Sequence, residues 1–113
     1  MDYLSFRPNL YVSDTEQAVK FYHDVLGLDV LHQDEDFALL SQQGAELALV
    51  RKLTRIPQQA YLYVSDVETM YVHCQSQQAT ITMPLTLHDY GTRDFVIQDY
   101  DGNLIGVGQR VGG

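Results

Sequence analysis

Apolar residues recur along this chain with two periods, and the periods take turns. Pro8–Val12 alternates strictly, with Leu10 and Val12 on one face and Asn9 and Tyr11 on the other, the mark of a strand with one buried side. From Asp14 the period changes. Ala18, Val19, Tyr22, Val25 and Leu26 recur at three-and-four spacing as far as Gly27, which predicts an amphipathic helix stopped by a glycine. Ser13 or Asp14 suits its N-cap, and Glu16 in the first turn suits the helix dipole. Three short strands are predicted next, over Asp29–His32, Phe37–Ser41 and Glu46–Val50, with Gly44 at a hairpin turn. The series then starts again. Ala60–Val64 sets Leu62 and Val64 against Tyr61 and Tyr63, and a helix from about Val67 to Gln77 carries Met70, Tyr71 and Cys74 as its stripe. Strands over Ile81–Leu85, Phe95–Gln98 and Leu104–Gly108 close the series, with Asp101-Gly102 at the last turn.

The recurrence is also literal. Leu-Tyr-Val-Ser-Asp stands at Leu10–Asp14 and again at Leu62–Asp66, an offset of 52. Asp36-Phe37-Ala38-Leu39 before Gly44 echoes Asp94-Phe95-Val96-Ile97 before Gly102, an offset of 58, so six extra residues are expected before Asp94 in the second copy. Two copies of one unit follow. The predicted fold is α+β, a single domain over 1–113 made of two tandem βαβββ modules. The first module spans about 5–53, the linker with Pro57 spans 54–58, and the second module spans about 59–110. In each module the aliphatic strand face packs under the helix, which leaves Tyr11, Tyr61 and Tyr63 on the opposite face.

Composition narrows the function classes. A net charge of −8 with seven Lys and Arg argues against nucleic acid and anionic membrane surfaces, and it permits a cationic ligand. The one cysteine, Cys74, excludes a disulfide framework and a cysteine-rich zinc site, and its place in the helix stripe makes it a small core residue. No stretch reaches the roughly 18 apolar residues of a membrane span. Met1–Pro8 has neither a basic start nor an apolar run, so a cytoplasmic address is the expectation.

Val12-Ser13-Asp14, Ala18-Val19-Lys20-Phe21-Tyr22, Leu26-Gly27-Leu28 and Asp99-Tyr100-Asp101-Gly102-Asn103, in that order, resemble the vicinal oxygen chelate superfamily. Its members include glyoxalase I, extradiol dioxygenases, fosfomycin-resistance enzymes and bleomycin-resistance proteins. The resemblance implies an eight-stranded, cup-shaped half-barrel with the helices outside and ligands on the concave face. It also implies four metal-ligand positions, which fall here on Arg7, Ala48, Gln59 and Gly106. Of these only Gln59 offers a donor, so no metal and no cofactor are expected. His23, His32, His73 and His88 show no ligand spacing.

Within the superfamily, four stretches resemble the bleomycin-resistance proteins. They are Arg7-Pro8-Asn9-Leu10, Asp34–Ala38, Asp89–Phe95 and Asp99–Asn103. The resemblance implies drug sequestration without catalysis, a homodimer that exchanges an N-terminal arm, and flat residues stacked on the guest at Tyr90 and His32. The ligand-binding candidates are therefore Tyr90, His32, Phe37, Tyr11, Tyr61, Tyr63 and Glu46. Their guest is expected to be a planar, cationic drug or metabolite, bound by stacking and cation–π contact. Glu46 and Asp34–Asp36 would supply negative potential, and Gly106 and Gly108 are expected to leave the cup open. The alternative is a glyoxalase- or dioxygenase-like enzyme that is metal-independent or has an unusual metal site, with Glu46, His88 or Arg7 as base.

Overall fold

A computed structural model describes residues 1–111. The elements run β1 (Asn9–Val12), α1 (Thr15–Leu26), β2 (Asp29–Gln33), β3 (Phe37–Gln42), β4 (Ala45–Arg51), β5 (Gln59–Tyr63), α2 (Val67–Ser76), β6 (Thr80–Leu87), β7 (Thr92–Gln98) and β8 (Leu104–Arg110). They form two four-stranded mixed sheets of matching order, β1-β4-β3-β2 and β5-β8-β7-β6. In each sheet the first strand pairs in parallel with the last, and the other pairings are antiparallel. The βαβββ reading holds, and the barrel is not closed.

Local chemistry explains the helix ends. The Asp14 carboxylate accepts from the Gln17 amide at 3.1 Å, and Gly27 ends α1 in the left-handed region at φ 71°. Asp66 caps α2 in the same way through the Thr69 amide, while Gln78 takes the left-handed turn at φ 59°. That second helix ends without a glycine, so its stop signal in the sequence is weaker.

The core lies between the helices and one face of each sheet. Leu10, Val12, Leu40 and Leu49 come from the first sheet, Phe95, Ile97, Ile105 and Val107 from the second, with Tyr22, Val25 and Cys74 from the helices. Burial pushes the Cys74 thiol up to about 11, which makes it a packing residue rather than a nucleophile. His23 and His73 are also structural. His23 Nδ1 contacts the Leu28 carbonyl and His73 Nε2 the Asp24 carbonyl, each at 2.9 Å.

Register corrects one expectation. Leu39 pairs with Ala48, and Val96 with Gly106, so the offset is 57 from β3 to β7 and 58 from β4 to β8. The echo of Asp36–Leu39 in Asp94–Ile97 is thus one residue out of step. Phe37 corresponds to Asp94, not to Phe95, and a one-residue slip exchanges the two faces of a strand. Phe37 accordingly faces away from the helices, whereas Phe95 is wholly buried beneath them. The extra residue lies in the β7–β8 turn. Most of the remaining insertion lengthens β6, which has eight residues against five in β2.

That longer turn joins the modules. Asp99 accepts from the Tyr22 hydroxyl at 2.6 Å and from the Asn103 side chain at 2.9 Å. Asn103 donates to the Tyr11 carbonyl at 3.0 Å and accepts from the Gln58 amide at 2.8 Å. The Gln58 side chain in turn accepts from the Tyr11 amide at 2.7 Å. On edge strand β1 the backbone N–H and C=O of Tyr11 are therefore satisfied by the linker and the second module. Asn103→Ala strands several of these buried partners at once. We expect it to lower unfolding stability by about 1–3 kcal/mol, read from denaturant midpoints; an unchanged midpoint would show that the turn does not brace β1.

Candidate functional site

With one face of each sheet under a helix, the chemistry available to a guest lies on the other face. Tyr11, Phe37, Glu46 and Ala48 stand there on the first sheet, and Tyr61, Tyr63, Asp94, Gly106 and Gly108 on the second. The second sheet carries the denser cluster. Tyr61 and Tyr63 lie 4.9 Å apart between ring centroids and are about half exposed. The loop after β6 stacks His88 against Tyr90, with centroids 5.0 Å apart and planes 4° from parallel. Tyr90 is 74% exposed, so its flat side is open.

Asp94 ties these groups together. It is 5% exposed, and both of its oxygens are engaged: Oδ2 accepts from the Tyr61 hydroxyl, and Oδ1 meets His88 Nε2, each at 2.6 Å. Burial, followed by the Asp94 hydrogen bond and charge, raises the Tyr61 phenol well above its ordinary range. Sequence reasoning missed Asp94, because the slipped echo placed it beside Asp36 in a loop. The signal was present, since correct registration matches Asp94 with Phe37 on the face away from the helices.

Gly106 and Gly108 do not leave an open cup. The Tyr61 ring lies across both, and a Cβ at Gly106 would come within 2.6 Å of Tyr61 Cδ2. Glycine is required there because the tyrosine occupies the space a side chain would need.

The first sheet is sparser. His32 lies in β2, as the predicted strand Asp29–His32 has it, and its ring is 6.1 Å from Phe37. Its Nε2 meets Asp34 Oδ2 at 2.7 Å, while Asp34 Oδ1 accepts from the Asp36 and Phe37 amides. The His32 contact, then these amides, hold the Asp34 carboxyl below its ordinary range. Asp36 pairs with Arg51. Asp34 and Asp36 are thus committed to the β2–β3 turn and its neighbour. Glu46 and Tyr61 share a groove of about 200 Å³ beside Phe6 and Pro8, which brings one predicted residue from each module together.

The fold family implies a metal, and the donor set does not fit one. Ala48 has no lone pair to give, Gly106 lies beneath the Tyr61 ring, and the Arg7 side chain hydrogen-bonds Asn9. Among the described residues no group of three His, Cys, Asp or Glu could hold a metal ion. No helix there is long and apolar enough to cross a membrane.

The Tyr61 hydroxyl gives a direct reading of this cluster. A phenol whose ionisation is raised on folding adds stability below its unfolded value near 10 and loses it as pH rises through the folded value. In absorbance titration, Tyr61→Phe should leave the phenol ionisation near pH 10 intact and remove amplitude only from the later phase. Loss of amplitude near pH 10 instead would mean that Tyr61 is an ordinary exposed phenol.

Similarity to known proteins agrees with the fold. The model of the Glyoxalase/Bleomycin resistance protein/Dioxygenase superfamily matches residues 3–107. No curated protein matches the chain. Among solved structures, TioX from Micromonospora sp. ML1 is 21% identical at a TM-score of 0.84, covering 95% of this chain and 99% of that one. The bleomycin-binding protein of Streptomyces verticillus, solved with copper(II)-bleomycin, is 20% identical at 0.81, covering 100% and 99%. Lactoylglutathione lyase from Agrobacterium tumefaciens is 19% identical at 0.79, covering 93% and 92%. With its doubled βαβββ modules and a family match over nearly its whole length, the chain belongs to the glyoxalase/bleomycin resistance/dioxygenase superfamily.

Proposed function

We propose that the chain is a non-catalytic binding protein that sequesters a planar drug or metabolite on the tyrosine face of its sheets. The observation that carries this reading is the exposed aromatic surface of Tyr61, Tyr63 and the stacked His88–Tyr90 pair, built where the superfamily's metal ligands are missing. Flat rings of this kind gain about 0.5–1.5 kcal/mol per aromatic contact beyond area burial. Tyr11, Phe37, His32 and Glu46 form the complementary first-module wall. The bleomycin-binding neighbour holds its drug on the same fold, which makes sequestration and drug resistance natural roles for a cytoplasmic protein of this kind.

The cleft is completed by a second copy. Tyr3, Leu4 and Phe6 in the N-terminal arm are each more than 90% exposed, and Val30 and Leu31 on edge strand β2 are also uncovered. Apolar surface of this extent is characteristic of an interface. Light scattering at micromolar concentration should give twice the protomer mass. A monomer would contradict clefts built from two chains.

One observation favours a second reading, metal-independent catalysis. The buried Asp94 fixes His88 through Nε2 and leaves Nδ1 without a partner among the described residues, the arrangement of an oriented general base. The neighbouring lyase shows that the fold also carries enzymes.

Thermal unfolding with a panel of planar compounds separates these readings. The panel contains copper(II)-bleomycin and uncharged, cationic and anionic bicyclic aromatics. A true guest at about 100 times its dissociation constant adds roughly 2.7 kcal/mol, a shift of several degrees. It should be recovered chemically unchanged after incubation; a changed product would favour catalysis. If no member shifts the transition, sequestration of planar guests is wrong. Tyr90→Ala should weaken binding of that guest by about threefold to tenfold with little change in unfolding, because the ring lies in an exposed loop.

A further inference from the structure

Four of the seven Lys and Arg side chains pair with carboxylates: Lys20 with Asp24, Arg51 with Asp36, Arg55 with Asp101 and Arg93 with Glu68. The other three are not in ion-pair range of a carboxylate among the described residues, and each lies over an aromatic ring. Arg110 Cζ is 4.0 Å from the centroid of Tyr63, Lys52 Nζ is 4.6 Å from that of Tyr11, and Arg7 Cζ is 5.9 Å from that of Phe37. All three rings lie on the sheet face turned away from the helices.

Two of these pairs are one device in duplicate. Tyr11 and Tyr63 are related by the offset of 52 that relates β1 to β5, and Lys52 and Arg110 by the 58 that relates β4 to β8. Each module therefore holds a cation over the tyrosine of its first strand. Neither the Lys52 ammonium nor the Arg110 guanidinium donates a hydrogen bond to an acceptor among the described residues, so their N–H groups are open to a guest. Arg110 pairs in register with Thr92, and Val111 hydrogen-bonds the Gly91 carbonyl at 2.9 Å, which places this cation beside the His88–Tyr90 loop.

Among the described residues no carboxylate on this face comes within ion-pair range of Lys52 or Arg110. Both oxygens of Asp94 are taken by Tyr61 and His88. Glu46 lies near the start of β4 and Lys52 just past its end, on the order of 20 Å apart along an extended strand. The net charge of −8 acts at long range and is screened by salt, whereas a bound guest meets the local charges.

We infer that the guest is a planar aromatic acid, its ring on the Tyr63 and Tyr90 surface and its anionic group at Arg110, with Lys52 as the equivalent seat on the first module. This deepens the sequestration reading and rests on it, and it reverses the sign of guest that net charge favours. Guanidinium binds carboxylate through charge-assisted hydrogen bonds.

Calorimetric titration with two probes of one shape and opposite charge, 2-naphthoate and 2-naphthamidine, tests it. Wild type should bind the acid at least about tenfold tighter than the amidine, the scale of one charged hydrogen bond. Arg110→Gln should remove most of that preference with only a small loss of unliganded stability, from its contact with Tyr63, and Arg110→Lys should retain part of it. Tighter binding of the amidine, or a preference that survives in the Lys52→Gln/Arg110→Gln double variant, overturns the inference but leaves an aromatic binding face. Binding of neither probe overturns both.

Discussion

Asp99 is the side chain on which the arrangement of the two modules depends. Its four hydrogen bonds reach Tyr22 in the first helix and Asp101 and Asn103 in its own turn. A carboxylate this deeply buried is stable only when its acceptor sites are filled, and here filling them requires both modules at once. Asn103 and Gln58 extend the same network to the backbone of Tyr11. Breaking it would expose polar groups in the core and release the edge strand that carries Tyr11. The residue by which the β7–β8 turn exceeds the β3–β4 turn thus has a structural purpose.

Once the modules are locked in this way, the division of faces follows. Both helices cover the same side of their sheets, so strands such as β1, β3 and β7 send alternate residues into the core and the rest to the opposite face, whereas edge strand β2 lies wholly exposed. The positions expected for the superfamily's metal ligands fall on the side away from the helices, and of Arg7, Ala48, Gln59 and Gly106 only Gln59 carries a donor. The space has been given to Tyr61, whose ring needs Gly106 and Gly108 beneath it and whose hydroxyl needs Asp94 beside it.

Much of this was legible in the letters. Period-two and period-3.6 patterns located all ten elements, and alternation assigned Tyr11, Tyr61 and Tyr63 to the right face, because strand geometry leaves no third choice. Register was less legible. A four-residue echo suggested that Phe37 matches Phe95, and only pairing with β4 and β8 shows the slip that makes Asp94 the true counterpart. The seating of Lys52 and Arg110 over tyrosines was not readable either, since Lys52 lies just past β4 and Arg110 is the last residue of β8, where long side chains can turn to either face. Net charge suggests a cationic guest, but it says nothing of where each charge lies, and the anionic guest proposed from Lys52 and Arg110 rests on their places over Tyr11 and Tyr63.

The central proposal is that the guest lies on the tyrosine face and not among the helices. Aromatic-ring nuclear magnetic resonance during titration with 2-naphthoate tests it most directly. Shifts confined to Tyr11, Phe37, Tyr61, Tyr63 and Tyr90, with Tyr22, Tyr71 and Phe95 unmoved, are the predicted result. Perturbation of the helix-side rings with the sheet tyrosines silent would contradict it.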